Sequence, residues 1–238
     1  MAAKKETLKI NKEVQEKLAK LEADLVGVVR LDGLKDKKLK DAALTLLPSA
    51  KSIVVVGMEV WPEFLDLTSP EMQAGEANMN DVYQQHQDYI RGKLAKAVYD
   101  IAKASRQAGF KALPLTANGP AVDRRTLQAV ISYKHAAEAA GLGRIGMSSV
   151  LITPEYGPRV RLALCLTETA LEPSPVIKEQ ICRYCNICVG KCPSHALERP
   201  APGEVYAINK FACRTYNDAA GGCSECIRVC PVGSPKYE

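Results

Sequence analysis

The chain has 238 residues, of which 47% are hydrophobic and 25% charged, and its formal net charge at pH 7 is +5. This composition is typical of a folded globular protein, and no apolar run approaches the length of a membrane helix. Residues 1–14 contain neither the apolar core of a secretory signal nor paired arginines. We therefore expect a cytoplasmic protein that has no membrane partner and no disulfides.

Hydrophobic periodicity predicts an alternation of helices and strands over residues 11–178. Val14, Leu18 and Leu21 recur at helical spacing, and residues 25–30 and 52–57 are β-branched runs typical of strands. In chain order, the predicted elements are helix 11–24, strand 25–30, helix 43–47, strand 52–57, a long loop 59–80, helix 81–107, strand 110–115, helix 125–140, strands 150–153 and 160–166, and a connector 168–178. This alternation indicates an α+β fold with a layered core.

The clearest concentration of positive charge is the run from Lys35 to Lys40, which reads KDKKLK. We interpret it as a solvated surface loop. The alternative is a docking patch for an acidic electron donor or for nucleic acid.

Eight of the nine cysteines lie in two runs between residues 182 and 230. Cys182, Cys185, Cys188 and Cys192 follow the spacing C-x2-C-x2-C-x3-C-P, while the second run consists of Cys213, Cys223, Cys226 and Cys230. The first spacing is that of bacterial two-cluster ferredoxins, in which the fourth cysteine ligates the other cluster. A zinc ribbon would pair two C-x2-C knuckles and would not need the third cysteine of each run.

The crossed-over ligation pattern divides the eight cysteines into two sets of four. The first cysteine set is Cys182, Cys185, Cys188 and Cys230, and the second cysteine set is Cys192, Cys213, Cys223 and Cys226. We predict that each set holds one [4Fe-4S] cluster in a ferredoxin-like domain of residues 176–238. Residues 1–175 are then a separate folded domain.

Two further segments carry a family resemblance. Residues 132–146 (SYKHAAEAAGLGRIG) and 151–161 (LITPEYGPRVR), together with the cysteine runs, resemble the reductive dehalogenase and epoxyqueuosine reductase superfamily. Residues 47–57 (LPSAKSIVVVG) resemble the segment with which epoxyqueuosine reductases open their core. The resemblance implies a nitroreductase-like core that binds a corrinoid, cobalamin, beside a ferredoxin-like module. It also implies that electrons pass from the outer cluster to the inner cluster and then to cobalt.

The glycines at positions 141, 143 and 146 lie within the matched stretch. Their spacing also fits the dinucleotide fingerprint G-x-G-x-x-G, but here the motif follows a predicted helix and precedes a strand, the reverse of that fingerprint's context. We instead expect the glycines to let a flat ligand approach the backbone. The predicted cofactor-binding residues are Gly141, Leu142, Gly143, Gly146, Tyr156 and Arg161.

The resemblance also suggests catalytic residues. Tyr89 lies about where dehalogenases carry a tyrosine that resembles a proton donor, and Tyr83 competes for this role. Asn118 matches an asparagine near the dehalogenase substrate pocket, and its alternative role is that of a turn residue. Arg159 could contact corrin groups or an anionic substrate, as could Arg161. Alternatively, both arginines belong to a charged surface.

The remaining candidate side chains are expected to be structural. Three scattered histidines, His86, His135 and His195, make no metal site and are predicted to pack or to donate and accept hydrogen bonds. Cys165 alternates within a predicted strand and should behave as a small buried hydrophobe.

Two departures from the family pattern bear on the substrate. The catalytic aspartate of epoxyqueuosine reductases falls in the stretch Ala117-Asn-Gly-Pro120, which contains no acid. The sequence also ends eight residues after Cys230, where those enzymes carry tRNA-binding repeats. From these departures we expect tRNA not to be the substrate.

The favoured hypothesis is an iron–sulfur oxidoreductase that resembles reductive dehalogenases. Its clusters would pass electrons from a low-potential donor, such as ferredoxin or flavodoxin, to a corrinoid that reduces a small molecule. One alternative is an electron-transfer protein that reduces the corrinoid of a partner, and another is a reductase with FMN in the pocket. The sequence does not determine the oligomeric state, and a homodimer is one possibility.

Overall fold

The computed structural model describes residues 11–69, 73–74, 77–119 and 122–233. The helices are α1 (11–18), α2 (Lys37–Leu46), α3 (Pro62–Asp66), α4 (Asn80–Gln107), α5 (Tyr133–Ala139), α6 (Ile187–Gly190), α7 (Lys210–Ala219) and α8 (Glu225–Arg228). The strands are β1 (Leu25–Arg30), β2 (Ser52–Glu59), β3 (Gln73–Ala74), β4 (Ala77–Asn78), β5 (Ala112–Leu115), β6 (Val122–Asp123), β7 (Gln128–Ala129), β8 (Arg144–Ile145), β9 (Leu151–Ile152), β10 (Val160–Thr167), β11 (Leu197–Glu198) and β12 (Ala207–Ile208). The predicted mixture of helices and small sheets is thus confirmed.

The largest sheet has the strand order β1-β2-β10-β5, with β1 antiparallel to β2 and β10 antiparallel to β5. Ile53, Val54, Val55 and Val56 of β2 have no exposed surface. A continuous apolar run is typical of a central strand that is covered on both faces. The helix α4 begins and ends within one residue of the predicted 81–107, and its apolar stripe is buried as expected.

The contacts between Cα atoms group the chain into two compact units whose segments alternate along the sequence. The first unit takes its described residues from Met1–Met58, Arg91–Leu142 and Arg161–Ile177, and the second takes them from Glu59–Ile90, Gly143–Val160 and Lys178–Glu238. The last break between the units follows Ile177. The division into domains 1–175 and 176–238 stays a prediction. The alternation was not predicted, because residues 59–90 and 143–160 carry no cysteine that would associate them with the C-terminal segment.

The prediction that residues 35–40 form a surface loop is wrong. Asp36 caps α2 by accepting a hydrogen bond from the backbone N–H of Leu39 at 3.0 Å, and the helix begins at Lys37. Lys37 and Lys38 are exposed, while Leu39 is buried. The run is therefore the amphipathic first turn of a helix, and the short helix predicted from residue 43 begins six residues earlier.

The helix predicted over residues 125–140 is shorter and is preceded by a hairpin. The strands β6 and β7 pair as Val122 with Ala129 and Asp123 with Gln128. The carboxylate of Asp123 accepts the backbone N–H of Arg125 at 2.8 Å, and Leu127 has a φ of 51°, which a helix does not allow. Local side-chain-to-backbone bonding thus stabilises a turn where apolar periodicity had predicted a helix.

Two further findings concern the segments around residue 155 and over residues 59–80. The strand β9 pairs with β8, whereas β10 pairs with β5 in the main sheet, so the two predicted strands around residue 155 belong to different sheets. The predicted loop 59–80 contains the short helix α3 and the strands β3 and β4. Pro70 and Gly75 of that prediction lie outside the described residues.

Candidate iron–sulfur site

The first cysteine set is brought together in the second unit. Burial raises the pKa of Cys188, and the charges of three neighbouring thiolates raise it further, those of Cys182, Cys230 and Cys185. The same four cysteines line one recess. The loop that carries three of them turns back on itself through Tyr184 and Asn186, whose φ angles are 51° and 61°.

The second cysteine set is also brought together. Burial raises the pKa of Cys226 to about 12, and further contributions come from Cys223, Cys213, Cys188 and Cys192. Burial also raises the pKa of Cys213, and the charges of Cys223 and Cys192 raise it further. The structure therefore groups the eight cysteines in the two sets that spacing predicted, whereas their role as cluster ligands stays a prediction.

The sulfur of Cys192 accepts several hydrogen bonds. Its burial acts to raise the pKa of the thiol, but hydrogen bonds from the Ser194 hydroxyl and from the backbone N–H groups of Leu197, Ala196 and Ser194 outweigh burial and lower it. The Ser194 Oγ lies 3.5 Å from the Cys192 sulfur. These oriented donors favour the thiolate, which is the form in which cysteine binds iron.

The two sets are neighbours. Helix α6 carries Cys188 and packs against helix α8, which carries Cys226. Around them lies a small apolar cluster formed by Cys192, Ala196 and Leu197 with Val189 and Ile208 packed against it. The burial around the sulfurs is thus built from short helices and hydrophobic side chains.

Among the residues that the structure describes, no three His, Cys, Asp or Glu side chains converge closely enough to hold a single metal ion. A [4Fe-4S] cluster places its four thiolates on four different irons, so its ligands surround a larger object. The donor chemistry of four cysteines per set fits such a cluster.

Arg159 lies behind the fourth ligand of the first cysteine set. Its guanidinium donates hydrogen bonds to the carbonyl oxygens of Cys230 at 3.1 Å and Val232 at 2.7 Å, and only 2% of the residue is exposed. Burial lowers the pKa of Arg159, and the nearby Cys230 charge opposes that change. Arg159 therefore fixes the backbone that carries Cys230, and its predicted contact with a corrin or a substrate stays a prediction.

The turn before Arg159 packs on the same C-terminal segment. A Cβ on Gly157 would overlap the carbonyl oxygen of Val232, and a Cβ on Gly233 would overlap the backbone nitrogen of Gly157. Both glycines have positive φ angles, 57° and 66°. The PEYGPR motif and the residues after Cys230 are thus in direct backbone contact, which requires glycine on both sides.

At each glycine predicted to bind a cofactor, the space that a side chain would take is filled by other atoms of the protein. In the second unit, a Cβ on Gly143 would overlap the Ile152 carbonyl oxygen, and one on Gly146 would overlap the Ile152 side chain. In the first unit, Gly141 has a φ of 75°, and a Cβ there would overlap the Pro175 carbonyl oxygen. Close packing within the chain is a sufficient reason for these glycines. Their role in cofactor binding stays a prediction.

The remaining predicted site residues are dispersed. In the first unit, Asn118 follows β5 and is exposed. In the same unit, Leu142 is buried and Arg161 lies half-buried in β10. In the second unit, Tyr156 is half-buried in the PEYGPR turn, and its backbone N–H donates to Thr153 Oγ1 at 3.1 Å. Tyr89 stands on α4 with 56% of its surface exposed.

Tyr83 and His86 are structural in their described contacts. The hydroxyl of Tyr83 accepts a hydrogen bond from Ser224 Oγ at 3.0 Å, next to the second cysteine set. His86 Nε2 accepts the backbone N–H of Trp61 at 3.2 Å, and its ring stacks on Phe64 at 4.1 Å. Burial lowers the pKa of His86, so the neutral ring is favoured.

The other residues expected to be structural behave accordingly. His135 Nδ1 lies 2.6 Å from Ser132 Oγ, and His195 is exposed with a φ of 48°. Cys165 is fully buried in β10, and burial raises the pKa of its thiol to about 12. A cysteine with so high a pKa is an inert apolar residue at neutral pH.

Ser148, a residue at the site, was not predicted from the sequence. It lies in the turn between β8 and β9, is 5% exposed, and lines the recess of the first cysteine set. A serine in a turn is common, so no signal in the sequence distinguishes it.

Comparison with known proteins finds relatives that are named as reductases. The chain is 28% identical over 204 residues to epoxyqueuosine reductase of Bacillus subtilis, covering 80% of this chain and 50% of that protein. It is 34% identical over 108 residues to tetrachloroethene reductive dehalogenase of Sulfurospirillum multivorans, covering 39% of this chain and 22% of that protein. The chain matches no protein-family model.

Solved structures agree with the sequence relatives in fold. An epoxyqueuosine reductase crystallised with a tRNA stem loop aligns with a TM-score of 0.57 and 20% identity, covering 95% of this chain and 66% of that chain. A catabolic reductive dehalogenase aligns with a TM-score of 0.63 and 16% identity, covering 90% of this chain and 30% of that chain. The protein belongs to the reductive dehalogenase and epoxyqueuosine reductase superfamily. It spans about half the length of the epoxyqueuosine reductase it matches in sequence.

These relatives correct one prediction and leave another standing. The expectation that tRNA is not a substrate is contradicted, because relatives named epoxyqueuosine reductase match most of the chain and one of them was solved with tRNA. The prediction of an oxidoreductase agrees with the names of the relatives. Among the described helices, none combines the length and the apolar character needed to cross a membrane.

Proposed function

We propose that the protein is an iron–sulfur reductase in which the two cysteine sets each hold a [4Fe-4S] cluster. The observation that carries this proposal is the grouping of eight cysteines into two neighbouring sets of four. Neighbouring clusters suit a relay in which one electron at a time moves through the second unit. The ferredoxin-like module and the nitroreductase-like core belong to the same proposal.

A corrinoid is the proposed acceptor, on the basis of the relatives. A reductive dehalogenase whose structure suggests a mechanism for B12-dependent dehalogenation aligns with a TM-score of 0.61 over 88% of this chain. A bound corrinoid supplies a strongly reducing cobalt centre. The space that glycine leaves at Gly143 and Gly146 is filled by Ile152, so packing within the chain already accounts for these two glycines. We therefore assign the corrinoid no residues and derive no step through it.

We favour a modified nucleoside of tRNA as the substrate class. The supporting observation is coverage: the epoxyqueuosine reductase match extends over 80% of this chain, against 39% and 58% for two tetrachloroethene reductive dehalogenases. Reduction of a small halogenated molecule is the second candidate, since the shorter dehalogenase match has the higher identity, 34%.

Cluster content tests the first part of the proposal. Protein purified without oxygen should contain about eight irons and about eight acid-labile sulfides per chain, as two four-iron clusters require. Cys213→Ser should halve both values, because only the second cysteine set is broken. Stoichiometric zinc with little sulfide would contradict the proposal.

Substrate and acceptor are tested on the same preparation. We expect added cobalamin to change its visible spectrum on binding, and the reduced protein to consume epoxyqueuosine in a tRNA stem loop, followed by mass spectrometry of the nucleosides. Flavin bands in the purified protein would instead favour FMN. Consumption of a chlorinated substrate with unchanged tRNA would favour the second candidate.

A further inference from the structure

Ser148 presents a buried hydroxyl that has no hydrogen-bond partner. Only 5% of the residue is exposed, and its Oγ finds no donor or acceptor among the described residues, the cysteine sulfurs included. Buried hydroxyl groups in folded proteins are almost always paired, because an unpaired one loses its bonds to water without replacement. A partner that the polypeptide does not supply is therefore expected.

The position of Ser148 identifies that partner. The residue lines the recess whose other walls include all four members of the first cysteine set. Its turn is held by backbone bonds from Gly146 N–H to the Val150 oxygen at 3.0 Å and from Ser149 N–H to the Gly146 oxygen at 2.9 Å. A Cβ on Gly146 would lie 3.2 Å from the Cβ of Cys182, so the turn directly adjoins the cysteine loop.

We propose that the Ser148 hydroxyl donates a hydrogen bond to a sulfur of the cluster held by the first cysteine set. This inference rests on the proposed function, because the acceptor is part of the cluster. A serine hydroxyl has one proton to donate, and cluster sulfurs are the acceptors that a [4Fe-4S] cluster would bring into this recess. The second cysteine set has a counterpart in Ser194, which lies 3.5 Å from the Cys192 sulfur.

The consequence is a difference in reduction potential. A donor to sulfur stabilises the reduced cluster more than the oxidised one, because the reduced cluster carries the extra negative charge. Ser148→Ala should therefore lower the potential of the first cluster and leave the second unchanged. Ser194→Ala, the matched control, should act only on the second.

The experiment is a redox titration followed by electron paramagnetic resonance on anaerobically purified protein. Comparison with Cys213→Ser, which lacks the second cluster, assigns the signals. At a fixed potential, Ser148→Ala should reduce the ratio of reduced to oxidised first cluster about tenfold, which corresponds to 59 mV for one electron. Ser148→Thr, which keeps the hydroxyl, should stay close to the wild-type ratio.

The outcomes separate this inference from the proposed function. Equal potentials in wild type, Ser148→Ala and Ser148→Thr, with both clusters present, overturn the hydrogen bond and leave the clusters intact. Loss of the first cluster in Ser148→Ala but not in Ser148→Thr supports the hydroxyl contact. Loss of the first cluster in both variants overturns the proposed hydrogen bond, because the size of the side chain would then determine whether the cluster binds. Absence of iron and sulfide from the wild-type protein would remove the proposed function itself.

Discussion

Arg159→Gln should detach the first cluster while the second persists. Arg159 is 2% exposed, and its guanidinium donates to the carbonyl oxygens of Cys230 and Val232. Hydrogen bonds to a charged group contribute about 1.5–3 kcal/mol each, so losing both costs about 3–6 kcal/mol if the two are additive. Neighbouring bonds are rarely additive, and the lower end of that range is the better expectation. Even a loss of this size should free the backbone that carries Cys230 to move.

Iron and sulfide analysis of anaerobically purified Arg159→Gln measures the effect. We expect about four irons per chain in place of about eight. Arg159→Lys should fall between, because an ammonium cannot donate to two carbonyls with the fixed geometry of a guanidinium. The control is Arg199→Gln at an exposed arginine of the same unit, which should keep both clusters. Two intact clusters and an unchanged unfolding midpoint in Arg159→Gln would refute the reasoning.

Three further predictions concern packing, proton transfer and pH. Gly143→Ala should lower the unfolding midpoint because its Cβ would overlap a backbone carbonyl, whereas Gly92→Ala in α4, where nothing lies within 4 Å, should raise stability by about 1 kcal/mol in thermal melts. Tyr89→Phe should lower turnover by about two to four orders of magnitude if its exposed hydroxyl donates a proton, whereas Tyr83→Phe should lose only the Ser224 hydrogen bond. Burial lowers the pKa of His86, so the unfolded chain binds a proton that the folded chain resists, and stability should fall as pH drops below about 6.5. His86→Gln, which still accepts the Trp61 N–H, should flatten that pH dependence in unfolding midpoints measured from pH 7.5 to 5.

Each of these predictions has an outcome that contradicts it. Equal melting of the two glycine variants would mean that the backbone at residue 143 can move away from β9. Full turnover in Tyr89→Phe would remove Tyr89 from proton transfer. An unchanged pH dependence in His86→Gln would mean that another group titrates in this range.

Local sequence patterns were sufficient to predict an element where all the residues that define it lie in one continuous segment. The helix α4 and the strands β1 and β2 followed from the spacing of their apolar residues, because burial of one face or of a whole strand leaves a direct trace in the sequence. The division of the cysteines into two sets followed from their spacing, since three ligands in one tight loop cannot include the fourth. Where side chains compete with periodicity, as at Asp123 and Asp36, the prediction failed because a single hydrogen bond decides between turn and helix.

The roles of the motif residues depended on contacts between segments far apart in the chain. The sequence of PEYGPR could not reveal that Arg159 bonds to carbonyl oxygens about seventy residues later, or that Gly157 faces the backbone of Val232. Nor could it distinguish a glycine that admits a ligand from one that admits another strand, because both need only the absence of a Cβ. The number of candidate cluster ligands and their division into two sets were thus determined by the sequence. The positions of Arg159, Gly157 and Ser148 near those cysteines were decided by tertiary packing alone, because these segments are distant in the chain and become neighbours only in the folded protein.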